Sequence, residues 1–534
     1  MPRSRTLLAL AALLAAHAPA ARAQEVAALR TRAERTDYRE TSRYDEVVAF
    51  MQAVAKADPQ MMHLTTFGYT FEGRPLPLMV WGRVRDATPE AVRATGLTRV
   101  YVQGNIHAGE VEGKEAMLEL LRALVRGEHR EWADSLVLLI APIYNADGNE
   151  RVNLVNRPHQ LGPIGGMGQR PNAQGYDLNR DHVKMDTPEA HSFADLLNRY
   201  DPHVGVDLHT TNGSFHAYQL TYSPPLHPNT PAAITERLRG DWLPAVTRNI
   251  RQRDGWDFYY YGNTPSADEG NEGALRGWYT FDHRPRFNNN YVGLRNRFAI
   301  LSEAYAYLPF RDRIAVTRRF VEEILDYARR NAGPIRRATE EADRASVVGQ
   351  PLALRAQFQR SAQPVTILMG EVAEEANPYS GQPMWRRLDV RHPEQMPEFG
   401  TFAATETERA PRAYLVPASL GAVAEKLRAH GVRFHPLAQP TRMRVEEFRI
   451  DSTHVAERAF QNHRERTLFG AYAATEREVP AGTLVVPVDQ PLGRLVFTLL
   501  EPRSDDGFAD WNVLDEVLKD AKAYPVLRTF DAVR

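Results

Sequence analysis

Past its N-terminal end, the chain sets short apolar blocks between amphipathic stretches. The first is helical: Val47, Phe50, Met51 and Val54 recur at three- and four-residue intervals on one face. Ser42 precedes Tyr44-Asp45-Glu46, a capping-box-like start, and Asp58-Pro59 ends the segment. Residues 61–69 and 76–81 read as strands around a Glu72-Gly73-Arg74-Pro75 turn. Four apolar runs follow, at 99–104, 136–143, 204–208 and 298–301, each short enough for a buried strand. A helix from about Glu110, with Met117, Leu120, Leu121 and Leu124 on its apolar face, and a second over 313–330 interleave with them. Strands alternating with helices predict an α/β fold: a mixed, mostly parallel sheet with helices on both faces.

Near Gly333-Pro334 the character changes. Residues 335–346 are charged and read as a linker or helical connector. Beyond them lie short β-like runs at 365–369, 414–417 and 483–487, with a helix over 420–429. The expected boundary falls near residue 340, leaving a smaller mixed α/β domain over 341–534 with no assigned role. The Pro-, Gly- and Asn-rich stretch 157–175 reads as a long surface loop.

Residues 1–23 read as an address rather than part of the fold. Arg3 and Arg5 give a basic start, 7–16 is apolar, and Ala21-Arg22-Ala23 is an A-x-A cleavage site. The apolar run is too short to span a bilayer, which takes about 20 residues. Export to a periplasm or the medium is expected, without a membrane anchor, leaving 24–340 as the first folded domain. Few residues separate Gln24 from the first helix, so the exported chain is expected to need no proteolytic activation.

Composition narrows the chemistry. The 534 residues carry 66 Lys plus Arg against 67 Asp plus Glu, which gives no excess basic charge for nucleic acid. There is no cysteine, so disulfides, thiolate metal sites and thiol catalysis are excluded. No protein partner is implied.

The reactive residue types gather where the predicted strands end. His107-Ala108-Gly109-Glu110 follows one apolar run, His209 closes Val206-Asp207-Leu208-His209, and Glu303 closes 297–303. Ligands of open α/β sheets sit beyond the carboxyl ends of strands. Two imidazoles and one carboxylate leave a zinc coordination position open, the mark of a catalytic site. A further carboxylate nearby suits general-base work, and the arginine of Asp177-Leu178-Asn179-Arg180 is a natural clamp for a carboxylate. A second His-x-x-Glu, His454-Val455-Ala456-Glu457, follows no apolar strand and reads as a solvated face.

In that order, His107-x-x-Glu110, Asn179-Arg180, His209 and Glu303 resemble the zinc carboxypeptidase family that includes carboxypeptidase A. Asn145-Ala146-Asp147-Gly148 stands where that family often has an Asn-Pro-Asp-Gly turn, and 68–74 is similar to its early strand-turn. The resemblance covers about residues 40–332. Residues 414–417 and 499–507 resemble an extension found in a bacterial branch of the family. It implies one Zn²⁺ per chain on His107, Glu110 and His209, with Glu303 as general base. Asn179 and Arg180 would bind the free C-terminal carboxylate of a peptide, and an arginine would stabilise the oxyanion: Arg157 fits the expected offset best, with Arg151 as rival. Tyr291 is the choice for a substrate-contacting tyrosine, with Tyr279 as the alternative.

The competing structural readings are ion pairs: Glu303 with Arg295 or Arg297, Arg180 with Asp177 or Asp181. The segment Arg286-Phe287-Asn288-Asn289-Asn290 is polar where relatives that take large apolar side chains have an apolar residue, so a polar or acidic terminal residue is expected. Rival functions are an amidohydrolase of N-acyl amino acids or murein peptides on the same scaffold, and an inactive peptide-binding relative.

Overall fold

The apolar runs become neighbours in one sheet of a computed structural model that describes residues 29–265 and 275–533. The proposed address segment 1–23 lies outside the described residues. The strands are β1 (Met62–Tyr69), β2 (Pro75–Trp81), β3 (Thr98–Gly104), β4 (Leu136–Ala141), β5 (Val204–Thr211), β6 (Leu220–Ser223), β7 (Phe258–Tyr260), β8 (Trp278–Tyr279) and β9 (Phe298–Tyr305). All but β8 form an eight-stranded sheet in the order β1-β2-β4-β3-β5-β9-β6-β7. Its centre, β4-β3-β5-β9, is parallel; β1/β2, β2/β4 and β6/β9 are antiparallel. Every residue of β3, β4 and β5 is buried, which explains why they read as continuous apolar runs rather than as alternating ones.

Helices cover both faces, and side-chain alternation along β5 demonstrates it. Leu208 meets the helix Glu112–Val125 so closely that a Cβ on Gly113 would lie 2.7 Å from its own Cβ. Gly205, three positions earlier and on the opposite face, packs against Val292 of the helix Asn288–Leu294. The helix Phe310–Arg330 closes this part of the chain. Ser42 does not cap the first expected helix, Tyr44–Ala57, which a short helix over Arg32–Arg35 precedes: the Ser42 hydroxyl donates to Glu115, and Glu46 instead accepts from the Arg43 N–H.

The charged connector is a helix, Ala332–Arg344, so a boundary at 340 falls inside it. The C-terminal part begins with the strand Pro351–Gln359, paired with Thr401–Arg409, and ends in a six-stranded sheet. The runs at 365–369, 414–417 and 483–487 correspond to Val365–Met369, Ala413–Val416 and Leu484–Pro487. The longest element there is a hairpin of Thr441–Val455 and Arg466–Val479. His454 and Glu457 lie exposed at its far end. One hydrophobic core runs through both parts: Ile335, Val347, Leu354 and Leu495 belong to the same cluster as Val102 and Ile300. Among the described residues, no helix is long and apolar enough to cross a membrane.

Candidate active site

Strand β3 ends at Gly104, and the chain turns through Asn105, a buried residue in the left-handed region at φ 65°. The turn is held by Tyr144 N–H donating to Gly104 O and by Asn105 Nδ2 donating to Glu110 O. His107 and Glu110 are thereby placed before the helix Glu112–Val125, facing His209 on β5. All three side chains are buried, and their ligand atoms lie within 4.8 Å of one another. The Nδ1 atoms of His107 and His209 each approach a different Glu110 oxygen, both at 2.9 Å.

The outer imidazole nitrogens are also fixed. His107 Nε2 is 3.0 Å from Asp177 Oδ1, and His209 Nε2 is 2.8 Å from Asp207 Oδ2. Ligating histidines are oriented by carboxylates in this way, with the inner nitrogen turned toward the metal. Burial disfavours charge on Glu110 and Asp177, yet the neighbouring cations outweigh it and hold both carboxyls well below their ordinary range. Burial likewise opposes charge on His209, but Asp207 and Glu110 raise its pKa well above that of free histidine. Buried negative charge crowded around two imidazoles is what a dication neutralises, so the residues fit zinc in number, type and charge.

Glu303 is the register partner of His209 across the parallel β5/β9 ladder. Burial pushes its carboxyl up to about 8; His209 opposes the shift and Glu110 adds to it. It is not the ion-pair partner of Arg295 or Arg297. Arg295 donates to His430 O and Asn198, and Arg297 to Asp201 and Asp343.

These groups open on a cavity of about 360 Å³ that Asn179, Arg180, Arg157, Arg170, Phe287 and Asn288 also line. Asn179 Oδ1 accepts the Asn288 N–H at 2.9 Å, leaving its amide NH₂ for a ligand. The Arg180 guanidinium lies 3.9 Å above the Phe287 ring and only 3.9 Å from Asp177, while Asp181 is taken by Lys184. Among the described residues, Asn288 Nδ2 is buried without a hydrogen-bond partner.

Several sequence expectations fare differently. Arg157 lines the cavity and donates to Glu110, whereas its rival Arg151 pairs with Glu72 outside it. Tyr291 is not a cavity residue: it is fully buried, and its hydroxyl bonds His430 Nδ1 at 2.9 Å. Tyr279 stacks on Phe399 at 4.1 Å and is not a lining residue either. The tyrosine on the cavity is Tyr261, its hydroxyl pushed up to about 12 by burial and by Glu303. Arg286 leaves the polar segment for a buried ion pair with Asp506.

Residues 157–175 are more than a surface loop. They carry Arg170 to the cavity, where it pairs with Asp177 at 2.8 Å, and they bury Met167 and Asn172. The close approach is possible because residue 168 is glycine: a Cβ there would lie 2.6 Å from both Ala108 O and Gly148 O. Arg170 has no sequence signal beyond being an arginine in a glycine-rich stretch.

Among known proteins, a sequence model of the family described as zinc carboxypeptidase matches residues 47–232. Carboxypeptidase 2 of Trichophyton equinum is 23% identical over 510 residues, covering 91% of this chain and 86% of the relative, so the match enters the C-terminal part. Carboxypeptidase M of Mus musculus is 30% identical over 138 residues, 25% of this chain and 28% of the relative. Among solved structures, a metallo-carboxypeptidase from Burkholderia cenocepacia aligns with a TM-score of 0.38 and 18% identity, over 54% of this chain and 70% of that one.

Proposed function

From the premise that this chain belongs to the zinc carboxypeptidase family and is a zinc metallopeptidase, we propose that it is an exported metallocarboxypeptidase removing single residues from free peptide C-termini. The observation that carries this reading is the convergence of His107, Glu110 and His209 beside Glu303, facing a cavity with Asn179 and Arg180 on its wall.

His107, Glu110 and His209 would hold the metal, and the two outer carboxylates would fix the imidazoles. Zinc at this position supplies Lewis acidity. Glu303 takes a proton from the attacking water and later passes it to the leaving amine nitrogen, so the C–O bond forms and the C–N bond breaks without free acid or base. A pKa raised by burial suits a group that must both accept and return a proton near neutral pH. Asn179 and Arg180 bind the terminal carboxylate. Arg157, with Arg170 beside it, faces the charge that develops on the carbonyl oxygen.

The unpartnered amide of Asn288 supports a polar or acidic terminal side chain, since a buried donor without an acceptor favours a ligand that brings one. Catalysis is assigned to the part from residue 24 up to the helix Ala332–Arg344, and an accessory role to the strand-rich part that follows that helix. Export rests on the basic, apolar and A-x-A pattern of residues 1–23.

The test is a pair of peptide pools with free and amidated C-termini. Release of single terminal residues from the free acids alone is expected. Equal hydrolysis of both pools, or internal cleavage only, would refute the carboxypeptidase reading.

A further inference from the structure

Among the described residues, none beyond Glu303 lines the catalytic cavity, yet the C-terminal part grips both segments that form its carboxylate-binding wall. The first is the stretch around Asp177, Asn179 and Arg180. At the tip of the long hairpin, Gln461 Oε1 accepts the backbone N–H of Asp177 at 2.9 Å. Two residues on, His463 Nε2 meets Asp186 at 2.6 Å. On the other side of the stretch, His430 Nε2 donates to Val183 O at 3.0 Å. The side chain of Asp177 is the one that holds His107 Nε2.

The second segment is Arg286 to Asn290. Asp506, fully shielded from solvent, accepts from Arg286 through both carboxylate oxygens, at 2.6 Å from its N–H and 2.8 Å from Nε. Trp511 donates to the same carboxylate at 2.7 Å and packs its ring 4.4 Å from the guanidinium. Two residues beyond Arg286, Asn288 N–H donates to Asn179 Oδ1, so the two segments are tied to each other as well. A buried charge bonded through both oxygens and a backbone N–H leaves the segment one geometry.

We infer that Gln461 and Asp506 of the C-terminal part are positioning residues of the active site: Gln461 sets His107 through Asp177, and Asp506 sets Asn288 and Asn179 through Arg286. The C-terminal part is therefore a buttress of the catalytic cavity rather than a separable appendage. The inference rests on His107 being a zinc ligand.

The test uses the full chain and two readouts. Zinc affinity is measured by competition with a chromophoric chelator for the wild type, Gln461→Ala and Gln461→Glu. Outer partners of ligating histidines are worth about 10–100-fold in affinity. A hydrogen bond one step further out is expected to cost about 3- to 10-fold in the alanine variant, and the glutamate, which keeps an acceptor, restores it. Asp506→Asn is expected to raise KM on free-acid peptides about tenfold while kcat falls little, because a displaced carboxylate clamp is lost mainly in binding. A wild type that binds no zinc refutes the metal reading. A wild type that binds zinc, with Gln461→Ala binding it equally well, overturns the role of Gln461. A folded Asp506→Asn with unchanged KM overturns that of Asp506, and should this variant fail to fold, the Gln461 pair alone decides for the buttress.

Discussion

His107 Nε2 lies 3.0 Å from the carboxylate of Asp177, a residue 70 positions further along the chain. The contact turns Nδ1 inward to Glu110 and fixes the ring before any metal arrives. Asp177 is itself held by Arg170 and by its backbone bond to Gln461, so the ring's orientation depends on three distant segments.

Replacing Asp177 by alanine is expected to weaken zinc binding about 10–100-fold, the usual cost of losing an outer-shell carboxylate. Activity at saturating zinc should fall much less. Chelator competition followed by assays across a zinc series separates the two effects, and an unchanged zinc affinity would contradict the role given to Asp177.

The three arginines should part company. Arg151 pairs at the surface with Glu72, so Arg151→Ala is expected to leave kcat near wild type. Arg157→Ala should lower kcat about 10²–10³-fold, the cost of one oxyanion donor. Arg170→Ala should lower zinc affinity as well, since Arg170 also holds Asp177. Steady-state kinetics with metal analysis on the three variants distinguish these outcomes.

Specificity should turn on Asn288. Its unpartnered amide predicts a preference for terminal side chains that carry an acceptor. Asn288→Val should shift preference toward apolar terminal residues by about 10–200-fold in the ratio of kcat/KM values, the range expected for a side chain of this size. A peptide panel varied only at the last residue measures it, and an unchanged ranking would leave Asn288 no part in specificity.

Acid should destabilise the fold through buried neutral histidines. His216 packs 3.9 Å from the Tyr305 ring, and burial, with Arg387 nearby, lowers its pKa to about 3. The unfolded chain takes up a proton near pH 6.5 that the folded chain refuses until about pH 3, so this contribution to stability is lost as pH falls through that window. For one such group the loss from pH 7 to pH 5 is about 2 kcal/mol. The stability gap between wild type and His216→Phe should shift by that amount over the interval, measured by denaturant unfolding at each pH.

Much of this site is legible in the sequence because chemistry follows burial. His209 and Glu303 each lie two residues from the carboxyl end of a largely buried strand, and His107 and Glu110 follow the end of another, so these polar residues stand out after the apolar runs 204–206 and 298–301. Arg170 does not stand out, because its place depends on how a glycine-rich loop folds back past Ala108. Sequence spacing misplaces Tyr291 for a similar reason: distance from Glu303 along the chain says nothing about which way a ring faces, and this one turns inward to His430. The hairpin of Thr441–Val455 and Arg466–Val479 is hidden in the sequence because most of its length is exposed or half-buried, which leaves no apolar alternation to read. The segment Ala332–Arg344, by contrast, is open between linker and helix on charge alone, and packing of Ile335 into the core decides for the helix.

The buried His107, Glu110 and His209 hold zinc, on this reading, for a reaction in which Glu303 moves the proton. The most direct measurement is zinc content together with single-residue release from free-acid peptides, for the wild type and Glu303→Gln. One zinc per chain is predicted in both, with release lost by about 10²–10⁴-fold or more in the variant, the worth of a positioned general base. Release that survives in Glu303→Gln, or a wild type that stays free of zinc after reconstitution, would contradict it.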